Sequence, residues 1–346
     1  MSIKNLYIPR RSKPGEKGIT VLAGDIGGTK TNLAIYHATE NGLKVLQTGK
    51  YASAEYDSCV AILQQFLTDT NSPRPDRICL GVAGPVLNGK VNLTNLSWDI
   101  DINVVKNAMG VEAVFLLNDL ESMAYGLAGL SEEDFITIHK GNENSTGNMA
   151  INAPGTGLGQ AGLYWNGHNH FPFPTEGGHA DFAPRTDVDF ALLKFLQKEY
   201  GVVSWEKVVA GPAITDIYRF LRDEQHMEEP AWLKDALEQS NLDSAVISGA
   251  AIDKKSAICV ETMALFVRYL ARESCNLVLK MKATGGLFLG GGIPPKIAPL
   301  LLQKEFMEHF MDCDRMQHLL EHIPIRIIKN DKTGLIGAAN YGAYLI

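Results

Sequence analysis

Two short glycine-rich turns, far apart in the chain, have the composition of a phosphate-binding site. Residues 25–30 read DIGGTK, and residues 155–159 read GTGLG. A turn of small residues lets backbone N–H groups approach phosphate oxygens, because no Cβ stands in the way. The first turn adds a carboxylate that suits Mg²⁺, a hydroxyl and an ammonium group. Together the two turns predict a site for the phosphates of a nucleotide, and its candidate residues are Asp25, Gly27, Gly28, Thr29, Lys30, Gly155, Thr156 and Gly157.

A second set of residues has the mixture of hydrogen-bond donors and acceptors that a sugar requires. Asn118 and Asp119 follow an apolar strand pattern. Glu176 and His179 follow a proline-rich loop, and Glu206 precedes a Gly-Pro turn. Every hydroxyl of a pyranose both donates and accepts hydrogen bonds, so its site needs several such groups. Each residue alone could be a cap or a loop residue, and a helix cap is favoured for Glu206 alone, but the set indicates carbohydrate binding.

Competing motifs fail on their context. The P-loop pattern G-x-x-x-x-G-K-[ST] is absent. Residues 157–162 match G-x-G-x-x-G, but the following LYWNG predicts a strand and a turn where a dinucleotide site requires a helix. Residues 318–322 match the zinc-protease pattern H-x-x-E-H at the end of a short predicted helix. For residues 318–322 the favoured interpretation is the end of a surface helix. Neither a dinucleotide enzyme nor a zinc protease is therefore indicated.

Strand and helix patterns alternate along the chain, which predicts an α/β layered fold. Residues 21–37 and 149–165 each show an apolar strand, a Gly/Thr turn and a second apolar strand that ends in aromatic residues. This internal repeat predicts two related α/β halves. Residues 256–282 have the spacing of one long amphipathic helix, with Arg268, Arg272 and Glu273 expected on its solvent-facing side.

Length and composition favour two domains and exclude several classes of protein. The chain has 346 residues, a formal net charge of −7 and 45% hydrophobic residues. The acidic balance without basic blocks argues against nucleic-acid binding. The five widely spaced cysteines indicate reduced thiols in a cytoplasmic protein rather than a disulfide framework. Neither a signal peptide nor a membrane-spanning apolar run is predicted.

In combination, the motifs resemble those of bacterial glucokinases, members of the sugar kinase, heat-shock ATPase and actin superfamily. The resemblance runs from about residue 21 to the C-terminus. It is carried by the segments LAGDIGGTKTNLA, LTNLSWDI, LLNDLESMA, APGTGLGQAGL, PTEGGHADFAP, VSWEKVVAGPA, GGLFLGGGIPPK and TGLIGAA. The family implies two α/β domains of the actin-like ATPase (ribonuclease H-like) fold that flank a deep cleft. On this basis residues 19–129 and 331–346 form a small domain, 130–330 a large domain and 1–18 an N-terminal extension.

The resemblance also implies a role for individual residues. Asp119 matches the catalytic base. The residues implied in sugar binding are Asn95, Asn118, Asp119, Gly157, Glu176, His179 and Glu206. Asp25 is implied in Mg²⁺ binding through water or phosphate, the two glycine turns hold the phosphates with Thr156 near the γ-phosphate, and Gly290, Gly291 and Gly292 adjoin the adenosine. Residues 334–338 match the second connecting segment of the family.

The activity implied by this resemblance is that of an ATP-dependent glucokinase, which transfers the γ-phosphoryl group to the 6-hydroxyl of glucose at the start of glycolysis. A kinase for fructose, mannose or an N-acetylhexosamine is the nearest alternative, and a non-catalytic sugar-sensing regulator is a more distant one. Residues 184–190 lack the cysteines of the zinc motif found in related kinases, so structural zinc is not expected. A homodimer is expected by analogy. Lys30 stands where many relatives have asparagine, and the sequence leaves its role open.

Overall fold

The computed structural model describes residues 6–93, 96, 98–142 and 144–345. Contacts within the chain divide it into two compact units. Unit 1 consists of Met1–Glu133, Leu163–Pro174 and Asn330–Ile346, and unit 2 of Asp134–Gly162 and Thr175–Lys329. The domain boundaries that the sequence suggests, near residues 130 and 331, stay a prediction.

The described residues form thirteen β-strands in two main sheets and one hairpin. The strands are β1 Ile19–Ile26, β2 Lys30–Thr39, β3 Gly42–Ala52, β4 Arg77–Val82, β5 Lys90–Leu93, β6 Trp98–Asp101, β7 Ala113–Asn118, β8 Phe135–His139, β9 Met149–Pro154, β10 Leu158–Trp165, β11 His170–Thr175, β12 Gly286–Leu289 and β13 Ile325–Ile328. The first sheet has the order β3-β2-β1-β4-β7, and the second has the order β11-β10-β9-β12-β13-β8. Strands β5 and β6 pair separately.

Apart from β8, which pairs antiparallel with β13 at the edge of the second sheet, the two sheets repeat the same topology. In the first, β1 pairs antiparallel with β2 and parallel with β4, which in turn pairs parallel with β7. In the second, β9 follows β10 in the order and pairs parallel with β12, which pairs parallel with β13. Gly27 comes directly after β1, and Gly155 comes directly after β9, which holds the equivalent position in the second sheet. The internal repeat predicted from the sequence is therefore present in the strand order.

Helices pack against the strands of both sheets. The helices are α1 Cys59–Asp69, α2 Ile102–Met109, α3 Asp119–Gly126, α4 Asp187–Tyr200, α5 Gly211–Asp223, α6 Ala231–Glu238, α7 Asp243–Ile252, α8 Ala257–Met281, α9 Ala298–Leu301, α10 Lys304–Met311, α11 Gln317–Leu320 and α12 Thr333–Tyr344. In unit 1, α12 lies against α3 and the strands β1 and β4. In unit 2, α8 is the central core helix and contacts α5, α7 and α10. The strand and helix patterns thus form the α/β layers that the sequence predicts.

Helix α8 corrects one expectation. Arg272 is only 4% exposed and Glu273 is fully buried, whereas the sequence pattern predicts both on the solvent-facing side of the helix. Arg272 forms an ion pair with the buried Asp189, and Glu273 accepts hydrogen bonds from neighbouring amide side chains. Burial of a charge is tolerated only when it is paired and hydrogen-bonded. These partners lie far away in sequence, so the spacing of charges along α8 gives no sign of them.

The close approach of α3 and α12 depends on glycines. A Cβ at Gly337 would overlap the carbonyl oxygen of Ser122, and one at Gly126 would overlap that of Thr333. The Ser122 hydroxyl donates a hydrogen bond to the Gly334 carbonyl at 2.8 Å. Because α3 begins at Asp119 and α12 at Thr333, this contact fixes the starts of both helices within unit 1.

Candidate functional site

In unit 1, the first glycine turn joins β1 to β2 and is held by its own backbone and by one serine. The Gly27 N–H donates to the Lys30 carbonyl at 3.0 Å, and the Ser53 hydroxyl donates to the Gly27 carbonyl at 2.8 Å. Thr29 and Lys30 are exposed. The turn is therefore fixed from behind while its outer residues face solvent. Ser53 is a supporting residue that the sequence patterns do not reveal, since it lies 26 positions from Gly27.

Asp25 lies at the end of β1 beside the start of α12. A Cβ at Gly334 would be 3.5 Å from Asp25 Oδ1, and the Asn32 amide donates to Asp25 Oδ2 at 3.4 Å. Burial raises the pKa of Asp25 above its ordinary value, the bond from Asn32 lowers it and the charge of Asp331 raises it. A cation would relieve the repulsion between the two carboxylates. This pair suits Mg²⁺, which is usually bound by one or two carboxylates together with phosphate oxygens.

Asn118 and Asp119 lie at the same edge of the first sheet as the glycine turn. Ile26 is aligned with Val82 in the parallel register, and Val82 is aligned with Asn118. The Asn118 side chain accepts from the Leu120 N–H at 2.9 Å and donates to the Gly84 carbonyl at 3.1 Å. Asn118 is thus the buried N-cap of α3, and Asp119 is the half-buried first residue of that helix. Ligands of open α/β sheets bind at the carboxyl ends of parallel strands, which is where both residues lie.

In unit 2, the second glycine turn is joined to two neighbouring segments. The Gly155 N–H donates to the Gly157 carbonyl, and the Gly155 carbonyl accepts from the Gly211 N–H, both at 2.8 Å. The Gly290 N–H donates to the Asn152 carbonyl at 3.0 Å. Gly291 has a φ of +79°, and its backbone lies so close to Pro154 that a Cβ would overlap the Pro154 carbonyl oxygen. The predicted phosphate turn and the predicted adenosine loop are therefore adjacent.

A cavity of about 560 Å³ opens beside these two loops within unit 2. Helix α5 begins at its wall with Gly211 and Pro212, and helix α7 begins there with Asp243. The N–H groups at a helix start favour anions. The cavity residues are Gly155, Thr156, Gly211, Pro212, Thr215, Ser240, Asn241, Leu242, Asp243, Ser244, Gly292, Ile293 and Lys296. Residues 240–244 and Lys296 carry no motif, so the sequence gives no sign of their place in the cavity. The Gly-Pro pair at 211–212, in contrast, is a helix-start signal.

Unit 2 contains four of the other predicted sugar-binding residues, which are Gly157, Glu176, His179 and Glu206. Glu176 and His179 are exposed neighbours whose carboxylate and imidazole are 4.0 Å apart. Glu206 is half-buried, and its Oε2 accepts from the Leu158 N–H at 2.9 Å. Glu206 lies within the short helix Trp205–Lys207 and does not cap it. The interpretation of Glu206, taken alone, as a helix cap is therefore wrong. Asn95 lies outside the described residues.

The described residues contain neither a metal-binding cluster nor a membrane-spanning helix. In the described part of the chain, no group of three or more His, Cys, Asp or Glu side chains is placed to hold a metal ion. His318, Glu321 and His322 of the H-x-x-E-H segment are exposed. No helix among residues 6–93, 98–142 and 144–345 combines the length and apolar character needed to cross a membrane.

The repeated α/β topology, with a glycine turn after the equivalent strands β1 and β9, defines the class of actin-like sugar kinases. The chain is 31% identical to a glucokinase from an Antarctic psychrotroph of known structure, with a TM-score of 0.80 and coverage of 93% of this chain and 98% of that one. A glucokinase of the ROK family from Streptomyces griseus, solved with glucose and AMPPNP, is 19% identical with a TM-score of 0.64 over 93% and 99% of the two chains, which supports the fold alone.

The sequence comparisons identify the family. The family model described as Glucokinase matches residues 22–344. A glucokinase from Nostoc punctiforme is 39% identical over 338 residues, covering 94% of this chain and 99% of the relative. One from Synechocystis is 36% identical over 348 residues, covering 94% and 98%. The chain belongs to the glucokinase family, and the predicted family, fold class and kinase activity are confirmed.

Proposed function

We propose that this chain transfers the γ-phosphoryl group of ATP to the 6-hydroxyl of glucose. The observation that carries the proposal is the shared sheet edge of unit 1. It brings Asp25 and the turn from Gly27 to Lys30 to the same edge as Asn118 and Asp119. A carboxylate able to accept a proton and a turn able to hold phosphates are the two parts that phosphoryl transfer to an alcohol requires.

ATP occupies the cavity of unit 2 in this proposal. The adenosine lies along Gly290–Gly292, where the absence of side chains leaves room for it. The phosphates extend toward Gly155 and Thr156, near the N–H groups at the start of α5. Backbone N–H groups already in position stabilise the charge of the transferring phosphoryl group without reorganisation. The cavity volume of about 560 Å³ is in the range of sites for cofactor-sized ligands.

Glucose is bound by amide, carboxylate and imidazole side chains in this proposal. Asn118, Glu176, His179 and Glu206 supply donors and acceptors for the ring hydroxyls, and Asn95 and Gly157 complete the set. Asp119 accepts the proton of the 6-hydroxyl as that oxygen bonds to phosphorus and the bond to ADP breaks. The hydroxyl becomes acidic only as the phosphoryl group arrives, so Asp119 requires no unusual pKa.

Mg²⁺ is the cation that we propose beside Asp25. The charge of Asp331 acts on Asp25, and a cation beside them would relieve the repulsion; Mg²⁺ is usually held by one or two carboxylates together with phosphates and water. When bound, it neutralises charge on the β- and γ-phosphates. Lys30 is exposed at the first position of β2, where it contributes at most an outer contact to phosphate.

We also propose that the protein acts in the cytoplasm, at the start of glycolysis, as a homodimer. Its five cysteines are all free thiols, and four of them are buried, which suits a reducing compartment. The proposed partners are the sugar and ATP, with neither nucleic acid nor a membrane involved. The dimer rests on analogy with the family.

The test is a profile of donors and acceptors with purified protein and Mg²⁺. ADP release is measured with ATP, ADP or polyphosphate as donor, and with glucose, fructose, mannose or N-acetylglucosamine as acceptor. We expect ATP and glucose to give the highest kcat/KM. A higher kcat/KM for another hexose would replace glucose as the substrate, and ATP turnover that is independent of sugar would overturn the kinase assignment.

A further inference from the structure

A largely buried polar network lies behind the segment that carries Glu176 and His179. Gln160 and Glu273 are 2% and 0% exposed. Gln160 Nε2 donates to Glu273 Oε1 at 2.8 Å and to Asn152 Oδ1 at 3.3 Å. Glu273 Oε2 accepts from the Asn276 amide at 3.0 Å, so both carboxylate oxygens have partners. None of these four residues belongs to the site proposed above.

The network contacts the sugar-binding segment through Gln160. The Gln160 side-chain oxygen is packed so closely on Gly177 that a Cβ there would overlap it. The Gln160 carbonyl accepts from the Thr175 hydroxyl at 3.3 Å, and that hydroxyl accepts from the Gly177 N–H at 3.2 Å. Gln160 therefore supports Gly177 from the side chain and from the backbone, directly between Glu176 and His179. A shift of the Gln160 amide changes the position of both.

The nucleotide loop is connected to the same network in a different way. The Gly290 N–H donates to the backbone carbonyl of Asn152 at 3.0 Å, and not to its side chain. The Asn152 amide itself donates to the Ser274 hydroxyl at 3.0 Å. Substitutions that alter the Gln160 side chain therefore leave the bond to Gly290 in place. The network acts on the sugar segment through side chains, whereas the nucleotide loop is held by backbone.

We propose that Glu273 is a positioning residue for sugar binding, which orients Gln160 and thereby fixes Gly177 between the two sugar ligands Glu176 and His179. This inference rests on the proposed function. Because buried polar networks are stable only when every member is satisfied, Glu273 allows Gln160 a single amide orientation. The role is one of orientation, since the Glu273 carboxylate is buried behind the segment and does not reach the substrate.

The test is a reciprocal exchange of the two side chains. Gln160→Glu alone places two buried carboxylates against one another and should raise the KM for glucose about tenfold or more, the effect of one lost hydrogen bond. The KM for ATP should change by less than about twofold, since the Gly290 bond is retained. The double variant Gln160→Glu with Glu273→Gln restores one amide and one carboxylate. With the Asn152 amide turned so that its N–H donates to the carboxylate at position 160 and its oxygen accepts from the Ser274 hydroxyl, every member is again satisfied, and the glucose KM should return to near the wild-type value.

The single variant Glu273→Gln and the control Tyr218→Phe complete the set. In Glu273→Gln the new amide N–H group faces the Asn276 amide, which is also a donor, so the glucose KM should rise by a smaller factor. If Gln160→Glu does not fold, this variant provides the test of the positioning role. Tyr218→Phe removes a different carboxylate hydrogen bond in unit 2, to Glu229 at 2.7 Å, and should leave both KM values unchanged.

Failure of this inference is distinguishable from failure of the proposed function. Wild type and Glu176→Gln are measured in the same assay. If wild type does not phosphorylate glucose, the proposed function is wrong. If Glu176→Gln raises the glucose KM but Gln160→Glu does not, Glu273 has no positioning role. A double variant that regains the wild-type melting temperature but not the glucose KM would also overturn the role.

Discussion

Glu206 accepts a hydrogen bond from the backbone N–H of Leu158 at 2.9 Å, so a predicted sugar ligand is bonded directly to the turn predicted to hold phosphate. The contact requires glycine in that turn, because a Cβ at Gly157 would be 2.5 Å from Glu206 Oε2. Among the described residues, Glu206 Oε1 accepts no hydrogen bond. The carboxylate can therefore orient the turn with one oxygen and bind a substrate hydroxyl with the other.

Replacement of Glu206 by Gln should weaken sugar binding without disturbing the turn. The amide oxygen can still accept from Leu158, but the charge that strengthens a bond to a sugar hydroxyl is lost. Hydrogen bonds to charged groups contribute about 1.5–3 kcal/mol, so the KM for glucose should rise by about tenfold to a hundredfold. The KM for ATP should change little. Steady-state kinetics with each substrate varied in turn provide the measurement.

The matched control for this prediction is Glu199→Gln, which removes a surface carboxylate paired with Arg219. It should leave both KM values unchanged. An unaltered glucose KM in Glu206→Gln would show that Glu206 only orients the glycine turn.

Replacement of Asp119 by Ala should lower kcat while the protein stays folded. The Asn118 side chain, and not Asp119, is the buried N-cap of α3, so the helix keeps its start. Loss of a general base typically costs about 10²-fold or more in rate, and the same loss is expected here. Binding of ATP, measured by calorimetry, should be retained.

Glu112→Ala is the control for Asp119→Ala. It removes an exposed carboxylate just before β7 and should leave kcat unchanged. Near-normal kcat in Asp119→Ala would remove this residue from the role of proton acceptor.

The sequence predicts the parts of the site that depend on local chemistry. Glycine turns after apolar strands are recognisable because backbone geometry and residue type are linked within a few positions. For this reason Gly27 and Gly155 appear at equivalent points of the two halves. The polar end of β7, where Asn118 caps α3, is recognisable in the same way.

The parts that the sequence does not predict depend on contacts between distant segments. Arg272 and Glu273 were expected on the solvent-facing side of a helix and are buried, because Asp189 and Gln160 lie opposite them from more than 80 positions away. The cavity wall at residues 240–244 has no motif, since it is formed by the position of α7 relative to α5. Periodicity places a residue on a face of its helix but does not show what covers that face.

Replacement of Gly337 by Ala should destabilise unit 1. The new Cβ would overlap the Ser122 carbonyl, which belongs to backbone and has little room to move. Overpacking of this kind typically costs about 1–3 kcal/mol in the free energy of unfolding. Because α3 and α12 begin at Asp119 and Thr333, kcat should fall as well. Urea unfolding followed by circular dichroism provides the measurement.

Gly249→Ala is the matched control, since Gly249 also lies within a helix but has no atom within 4 Å of its would-be Cβ. Alanine is favoured over glycine inside a helix by about 1 kcal/mol, so this variant should be as stable as wild type or more stable. Equal stability of the two variants would contradict the tight crossing of α3 and α12.

Removal of one partner of the buried Asp189–Arg272 pair should destabilise unit 2 in a pH-dependent way. Arg272 Nη1 donates to Asp189 Oδ2 at 2.6 Å, and both side chains are nearly inaccessible. Burial alone would raise the pKa of Asp189, but the Arg185 N–H and the Arg272 guanidinium hold it below its ordinary value. An Asp with a lowered pKa stabilises the fold above the unfolded pKa of about 3.9, and this contribution is lost as the pH falls through the folded pKa.

Arg272→Met leaves the Asp189 carboxylate buried without its cation, which should cost about 3–5 kcal/mol in the free energy of unfolding at pH 7. The difference from wild type should shrink as the pH falls from 7 toward 4, because burial without the cation raises the pKa of Asp189 in the variant above its unfolded value of about 3.9, so the carboxyl becomes neutral and its charge no longer has to be buried. Glu224→Gln is the control, since it breaks the exposed pair with Lys198 at 2.6 Å and should cost less than about 1 kcal/mol. Urea unfolding at pH 7 and pH 4 measures the free energy of unfolding of both variants. If the loss of stability in Arg272→Met is the same at the two pH values, packing and not charge sets the contribution of this pair.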